Sequence, residues 1–205
     1  VHITILGATG ATGRHLTEQA LERGHTVVAL ARDPGRITLS DSTNLTTVAA
    51  DVFDASSIAH AIVPGTTVIS GLGVTKGAAG TLEAGARAVI DAQPDRIIWL
   101  GAYGTGASAD AAGPLTRWLL RTVMGNELSD KVSADSAVIR AGGTVFHAGP
   151  LTNKALTSGW RVAGLHAVPH RPFPATISRA TVAAAMLSEA ETHKFPGVTV
   201  VPQKR

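Results

Sequence analysis

The chain begins Val1-His2-Ile3-Thr4-Ile5-Leu6-Gly7-Ala8-Thr9-Gly10-Ala11-Thr12-Gly13-Arg14-His15, and its fold turns on the glycines at 7, 10 and 13. Residues 1–6 carry a strand pattern. Residues 12–23 carry a helix pattern with Leu16, Ala20 and Leu21 on one face, and Gly24 ends it. At such a strand-to-helix junction Gly7 allows a sharp turn. Gly10 removes a Cβ where a pyrophosphate would approach the backbone, and Gly13 allows close helix–strand packing. The helix start points unpaired N–H groups and the positive end of its dipole at the same place. Thr9 and Thr12 add hydroxyl donors, and the run reads as a cradle for a dinucleotide pyrophosphate. Glycine spacing alone is a weak pattern, equally able to make a tight turn with no ligand. The flanking strand, helix and second strand give it weight.

That second strand is TVVALA (26–31), followed by Arg32-Asp33-Pro34-Gly35-Arg36. An acidic residue at the strand end would bind a ribose 2′-OH, whereas an arginine accommodates a 2′-phosphate. Arg32 holds the position and Arg36 follows one turn later, which favours NADP(H). Two guanidiniums sharing a phosphate make charge-assisted bonds of about 1.5–3 kcal/mol each. Asp33 is the rival that would serve NAD, but before Pro34 it is read as the cap of the turn 34–37.

Farther on, strands are expected at 45–49, 67–70, 96–100, 144–147 and 198–201, and helices at 54–62, 81–92, 115–124, 130–141 and 178–189, with Asp54 as an N-cap. Alternating strands and helices imply an α/β fold, a doubly wound parallel sheet of the Rossmann type that binds ligands at the carboxyl ends of its strands. No repeat or linker divides the chain, so residues 1–205 are expected to form one domain, with segments near 101–125 and 149–174 covering the substrate. Those segments carry Tyr103, Trp118, Trp160 and Phe173. They suit a flat, apolar or aromatic ligand, although Trp118 with Leu115, Leu119, Thr122 and Val123 also fits a core helix face.

Composition narrows the classes. Of 205 residues, 44% are hydrophobic and 16% charged, as in a globular chain. With no cysteine, disulfides, thiolate catalysis and Cys–metal sites are excluded. The net charge of +3 is too small and scattered to argue for nucleic acid. No leader is expected ahead of the first strand, and no uncharged run is long enough to span a membrane. A cytoplasmic protein with a small-molecule partner, monomeric or homodimeric, is expected. The eight histidines are dispersed, and Pro169 between His166 and His170 argues against a metal pair on a helix.

The stretches GATGATGRH, ALARDPGRI, AADVFDASSI, DRIIWLGAYGTG, GPLTN and TISRATVAAAML together resemble the atypical short-chain dehydrogenase/reductase family, in its NAD(P)H-binding group with biliverdin-IXβ (flavin) reductase and NmrA-like proteins. The resemblance implies that Gly7, Thr9, Gly10, Ala11, Thr12 and Gly13 bind the pyrophosphate, and Arg32 and Arg36 the 2′-phosphate. It places Asp51 and Val52 beside the adenine, and Gly71, Leu72 and Gly73 under the ribose and nicotinamide. The plain readings are a turn aspartate at Asp51 and a strand exit at 70–73.

Catalysis departs from the family. The Tyr-x-x-x-Lys pair is absent, since Ala107 follows Tyr103 by four, and no serine stands at Gly101-Ala102. The histidine of the flavin-reductase branch aligns with Pro150. Tyr103 and His147, each near a strand's carboxyl end, are the candidate proton donors, and solvent is another. Their plain readings are a packed loop tyrosine and a core histidine. The preferred activity is NADPH-dependent reduction of a small apolar or aromatic acceptor (quinone, flavin or ketone). The alternatives are an NADP(H)-binding redox sensor without turnover, and an isomerase or lyase that retains its cofactor.

Overall fold

The structure is a computed structural model that describes residues 1–39, 42–73, 78–113, 122, 125, 127–168 and 175–204. Its frame is an eight-stranded sheet. The strands are β1 (His2–Leu6), β2 (Thr26–Ala31), β3 (Leu45–Ala49), β4 (Thr67–Ser70), β5 (Arg96–Ala102), β6 (Thr144–Ala148), β8 (Trp160–Gly164) and β10 (Thr199–Lys204). They lie in the order β3-β2-β1-β4-β5-β6-β10-β8. All pairs are parallel except β10 with β8. The expected doubly wound Rossmann fold is the fold observed.

Because the sheet is covered on both faces, its central strands have no exposed side. On β1, Ile3 and Ile5 enter one core and Leu6 the other; on β5, Ile98 and Leu100 oppose Ile97 and Trp99. The first core is closed by α1 (Ala11–Glu22) and α5 (Arg179–Thr192), the second by α2 (Ala55–Ala61), α3 (Thr81–Asp91) and α4 (Glu127–Arg140). Five alanines among the buried residues of α5 let it sit close to α1, where Gln19 Nε2 donates to the Ala180 carbonyl at 2.9 Å. Asp54 caps α2 as expected, accepting from the N–H groups of Ser56 and Ser57.

The segment near 149–174, expected to cover the substrate, holds two strands. A two-residue strand β7 (Leu151–Thr152) pairs with β9 (Ile177–Ser178), and β8 forms the antiparallel edge. The helix expected over 115–124 falls almost wholly outside the described residues, as do Trp118, His170 and Phe173. Among the described residues no helix is long and apolar enough to cross a membrane.

Candidate functional site

The chain leaves β1 toward β2 and β3, then crosses back to β4 on the other side of β1, so the carboxyl ends of β1 and β4 border the crevice where the strand order reverses. Two glycine loops meet there. Gly7 has φ +77°, and a Cβ on it would meet Leu72 Cδ2 at 3.0 Å and Leu72 N at 3.2 Å. A Cβ on Gly71 would meet Gly13 N at 3.1 Å, and one on Gly13 would collide with the Gly7 carbonyl. Each loop therefore occupies the space a side chain on the other would need.

At the start of α1 the N-cap is Gly10, with no side-chain cap and no acidic residue in the first turn. A Ser or Asp cap would have taken one of the orphan N–H groups and set a side chain over the rest. Here they stay available to an anion at the positive end of a twelve-residue helix. The cradle lined by Gly7 and Gly10, held close to α1 because Gly13 carries no Cβ, fits a pyrophosphate.

Two cavities open on either side of this point and share Gly10, Gly71, Leu72 and Gly73, so they form one trough. The first, of about 340 Å³, includes Gly7, Thr9, Arg32, Asp51 and Val52. Arg32 follows the last residue of β2 and is exposed at the rim. Asp33 turns away from it, accepting from the Gly35 N–H at 3.2 Å to cap the short turn Pro34–Arg36. Arg36 is exposed on that turn and does not reach the cavity wall. Asp51 is both a wall residue and a turn residue, its Oδ1 accepting from the Phe53 N–H at 3.0 Å. Phe53, unforeseen from sequence, adds a ring that is 56% exposed beside Asp51.

The second cavity, of about 320 Å³, is walled by Ala11 and Thr12, the ends of β5 and β6, Leu151, Lys131 and Arg179. Neither catalytic candidate from the sequence lies on its wall. Tyr103 is buried with Ala112 and Val201, and its hydroxyl donates to the Ala111 carbonyl at 3.0 Å. Burial pushes the phenol up from its ordinary range. His147 is fully buried, and both ring nitrogens are engaged: Nδ1 with Ser108 Oγ at 2.6 Å and Nε2 with Asp135 Oδ2 at 3.1 Å. A proton donor must face its acceptor, and the polar atoms of Tyr103 and His147 are instead bonded to protein groups. Trp160 packs against the first core, and His166 is exposed on a turn.

The His147–Asp135 pair explains the missing serine. A Cβ on Gly101 would meet His147 Cδ2 at 2.5 Å and Asp135 Oδ2 at 2.9 Å, so position 101 must be glycine while that pair is in place. Five residues before Asp135, Asp130 accepts from the Leu82 and Glu83 N–H groups at 3.1 and 2.8 Å, capping α3 from a different helix. Between these anchors Lys131 reaches the cavity, where burial holds its ammonium below the ordinary lysine range although Asp135, Asp130 and Glu127 pull it the other way.

Sequence reasoning missed Lys131 and Arg179. The available signal for Lys131 was a lysine one helical turn ahead of an aspartate on the helix after β5. Arg179 carried the weaker signal of a cation at a helix start, where the dipole disfavours it. Among the described residues, no three histidine or carboxylate side chains are grouped to hold a metal.

A family model described as NAD(P)H-binding matches residues 7–193. No curated protein matches the chain. Solved structures do. Anaerobillin reductase ChuY from Escherichia coli O157:H7 is 21% identical with a TM-score of 0.81, the match covering 100% of this chain and 97% of that one. A wide-type short-chain dehydrogenase/reductase from Veillonella parvula, solved with NADP, is 16% identical with a TM-score of 0.79, over 99% and 94% of the two chains. The oxidoreductase ylbE from Lactococcus lactis is 18% identical with a TM-score of 0.78, over 100% and 91%. At these identities the likeness is one of fold.

Proposed function

Because this chain belongs to the NAD(P)H-binding family, we propose that it is an oxidoreductase that uses NADPH to reduce a small, largely apolar or aromatic acceptor, a quinone, flavin or ketone. The observation that carries the reading is the trough itself. Its two cavities join at the glycine cradle, as a two-ended ligand with a central pyrophosphate requires. In this reading the open N–H groups of α1 hold the pyrophosphate and Arg32 the 2′-phosphate, with Arg36 a weaker, outer contributor. Asp51, Val52 and Phe53 receive the adenine, and Gly71, Leu72 and Gly73 support the sugar at the junction. NADPH would supply the hydride, and proximity to an acceptor in the second cavity accounts for most of the rate. With Tyr103 and His147 turned into the protein, the accompanying proton comes from water, which the open trough admits.

Asp135, His147 and Ser108 fix the floor at Gly101 beside the second cavity. Calorimetric titration with NADPH and NADH separately is the test, followed by an acceptor screen read as loss of nicotinamide absorbance. NADPH preference with turnover of at least one acceptor supports the proposal. Binding of neither cofactor overturns it, and tight NADPH binding without turnover of any quinone, flavin or ketone moves the sensor reading ahead.

A further inference from the structure

Resting on that cofactor reading, we propose that Gly85, buried in α3, is a positioning residue that sets the shape of the trough through Leu72 and Val52. It is the one glycine of the helix TLEAGARAVID. A glycine in a helix interior weakens the helix relative to alanine, so packing or function must hold it there. The neighbours of its missing Cβ are walls of the trough. A Cβ on Gly85 would meet Leu72 Cδ1 at 3.0 Å and Val52 Cγ1 at 3.2 Å, with Trp99 Cη2 behind at 3.6 Å. Val52 lines the first cavity, and Leu72 lines both.

The helix is held against these two side chains. Its first turn is bonded to Asp130 of α4 through the Leu82 and Glu83 N–H groups, and Leu82, Ala86 and Val89 are buried in the second core. Contacts of 3.0–3.2 Å are too short for carbon on carbon, so Leu72 and Val52 would each have to give by a few tenths of an ångström. Leu72 has no slack on its far side. Its other methyl, Cδ2, already stands 3.0 Å from where a Cβ on Gly7 would be. One methyl of Leu72 thus rests on each glycine, and a push from α3 moves the side chain outward, into the junction of the two cavities. The same push reaches the adenine end through Val52.

Gly85 is not a wall residue of either cavity, so it acts only through these side chains. It meets neither the 2′-phosphate nor the nicotinamide. Its effect on binding must therefore be the same for NADPH and NADH, whereas an arginine that reads the 2′-phosphate affects NADPH alone.

The test is calorimetric titration of the wild type and Gly85→Ala with NADPH and with NADH, beside urea unfolding of each protein. Both cofactors are expected to bind Gly85→Ala more weakly by the same factor, roughly three- to tenfold. The urea midpoint is expected to hold or rise, because alanine favours a helix. A double-mutant cycle assigns the path. Leu72→Ala should weaken binding by itself, and Gly85→Ala added to it should cost clearly less than in the wild type, because the methyl it displaces is gone. Unchanged affinity for both cofactors overturns the proposal, as does a loss confined to one of them. A loss of the same size with and without the Leu72 side chain overturns it too. So does a lowered urea midpoint, or failure of Gly85→Ala to fold, because the glycine then serves the packing of α3 and not the trough. A wild-type protein that binds neither cofactor removes the cofactor reading and this proposal with it. A wild type and a Gly85→Ala that bind equally well remove the proposal alone.

Discussion

Replacing Arg32 by alanine is the cleanest probe of cofactor choice, because the side chain is exposed and makes no hydrogen bond or ion pair with the described residues. Its removal leaves no buried partner behind and should cost the fold nothing measurable. Charge-assisted hydrogen bonds contribute about 1.5–3 kcal/mol where they are well desolvated. Arg32 stands at the rim, where water screens it, so the lower end applies: about 1.5 kcal/mol, or roughly tenfold in Kd. NADPH should therefore bind about tenfold more weakly to Arg32→Ala while NADH, which has no 2′-phosphate, is unaffected. Calorimetry with both cofactors on both proteins reads this directly. The wild-type preference for NADPH should also shrink as salt is raised. If Arg32→Ala weakens NADPH and NADH alike, the guanidinium is stacking on adenine rather than reading the phosphate. If neither changes, Arg32 has no part in the site.

Three further outcomes follow from the geometry. Gly13→Ala puts a Cβ 2.8 Å from Ala8 Cα and into the Gly7 carbonyl; α1 must withdraw, at a cost of about 1–3 kcal/mol with loss of NADPH binding, and unchanged urea unfolding would refute the packing argument. His147→Ala strips Asp135, whose Oδ1 already lacks a partner among the described residues; stability in urea should fall by about 3 kcal/mol or more, with His147→Gln losing clearly less. Glu191 is pushed up by burial, but hydrogen bonds from His25 and Arg23 and the Arg23 charge outweigh this and hold its carboxyl below the ordinary range. A depressed folded pKa stabilises above the unfolded value and is lost as pH falls through the folded one. Because Arg23 and Glu191 are each about a third exposed and screened by water, Glu191→Gln should cost at most about 1 kcal/mol at pH 7 and nothing once acid has protonated the wild-type carboxyl; an equal loss at both pH values would exclude the ion pair as its cause.

The parallel strands were legible because burial on both faces makes them short apolar runs: TVVALA, TVIS and RIIWL each lie in the strand expected for them. The glycine loop was legible because backbone geometry, not a distant partner, dictates it. The antiparallel edge β8 was not, since WRVAG has little alternation and owes its existence to pairing with β10 some forty residues later. The same limit applied to the second cavity. His147 stands at the end of its strand as expected, but sequence cannot say which way a side chain points, and the nitrogens turned out to be consumed by Ser108 and Asp135. Lys131 gains its position from Asp130 and Asp135, whose partners lie on other elements.

The absent side chain at Gly101 also constrains how this protein can change. A serine there, where relatives of the resembled family hold one, would overlap His147 and Asp135. Once His147 gives way to a small residue, the nearest obstacle beneath position 101 is gone and only the Asp135 carboxylate, 2.9 Å from a Cβ there, has to shift. Serine at 101 is thus tolerated only after 147 has shrunk, and a histidine at 147 only while 101 is glycine. Substitutions at the two positions are order-dependent, each single step being worse than the starting pair, and a route from this floor to a serine-bearing one must cross that dip or take both steps together.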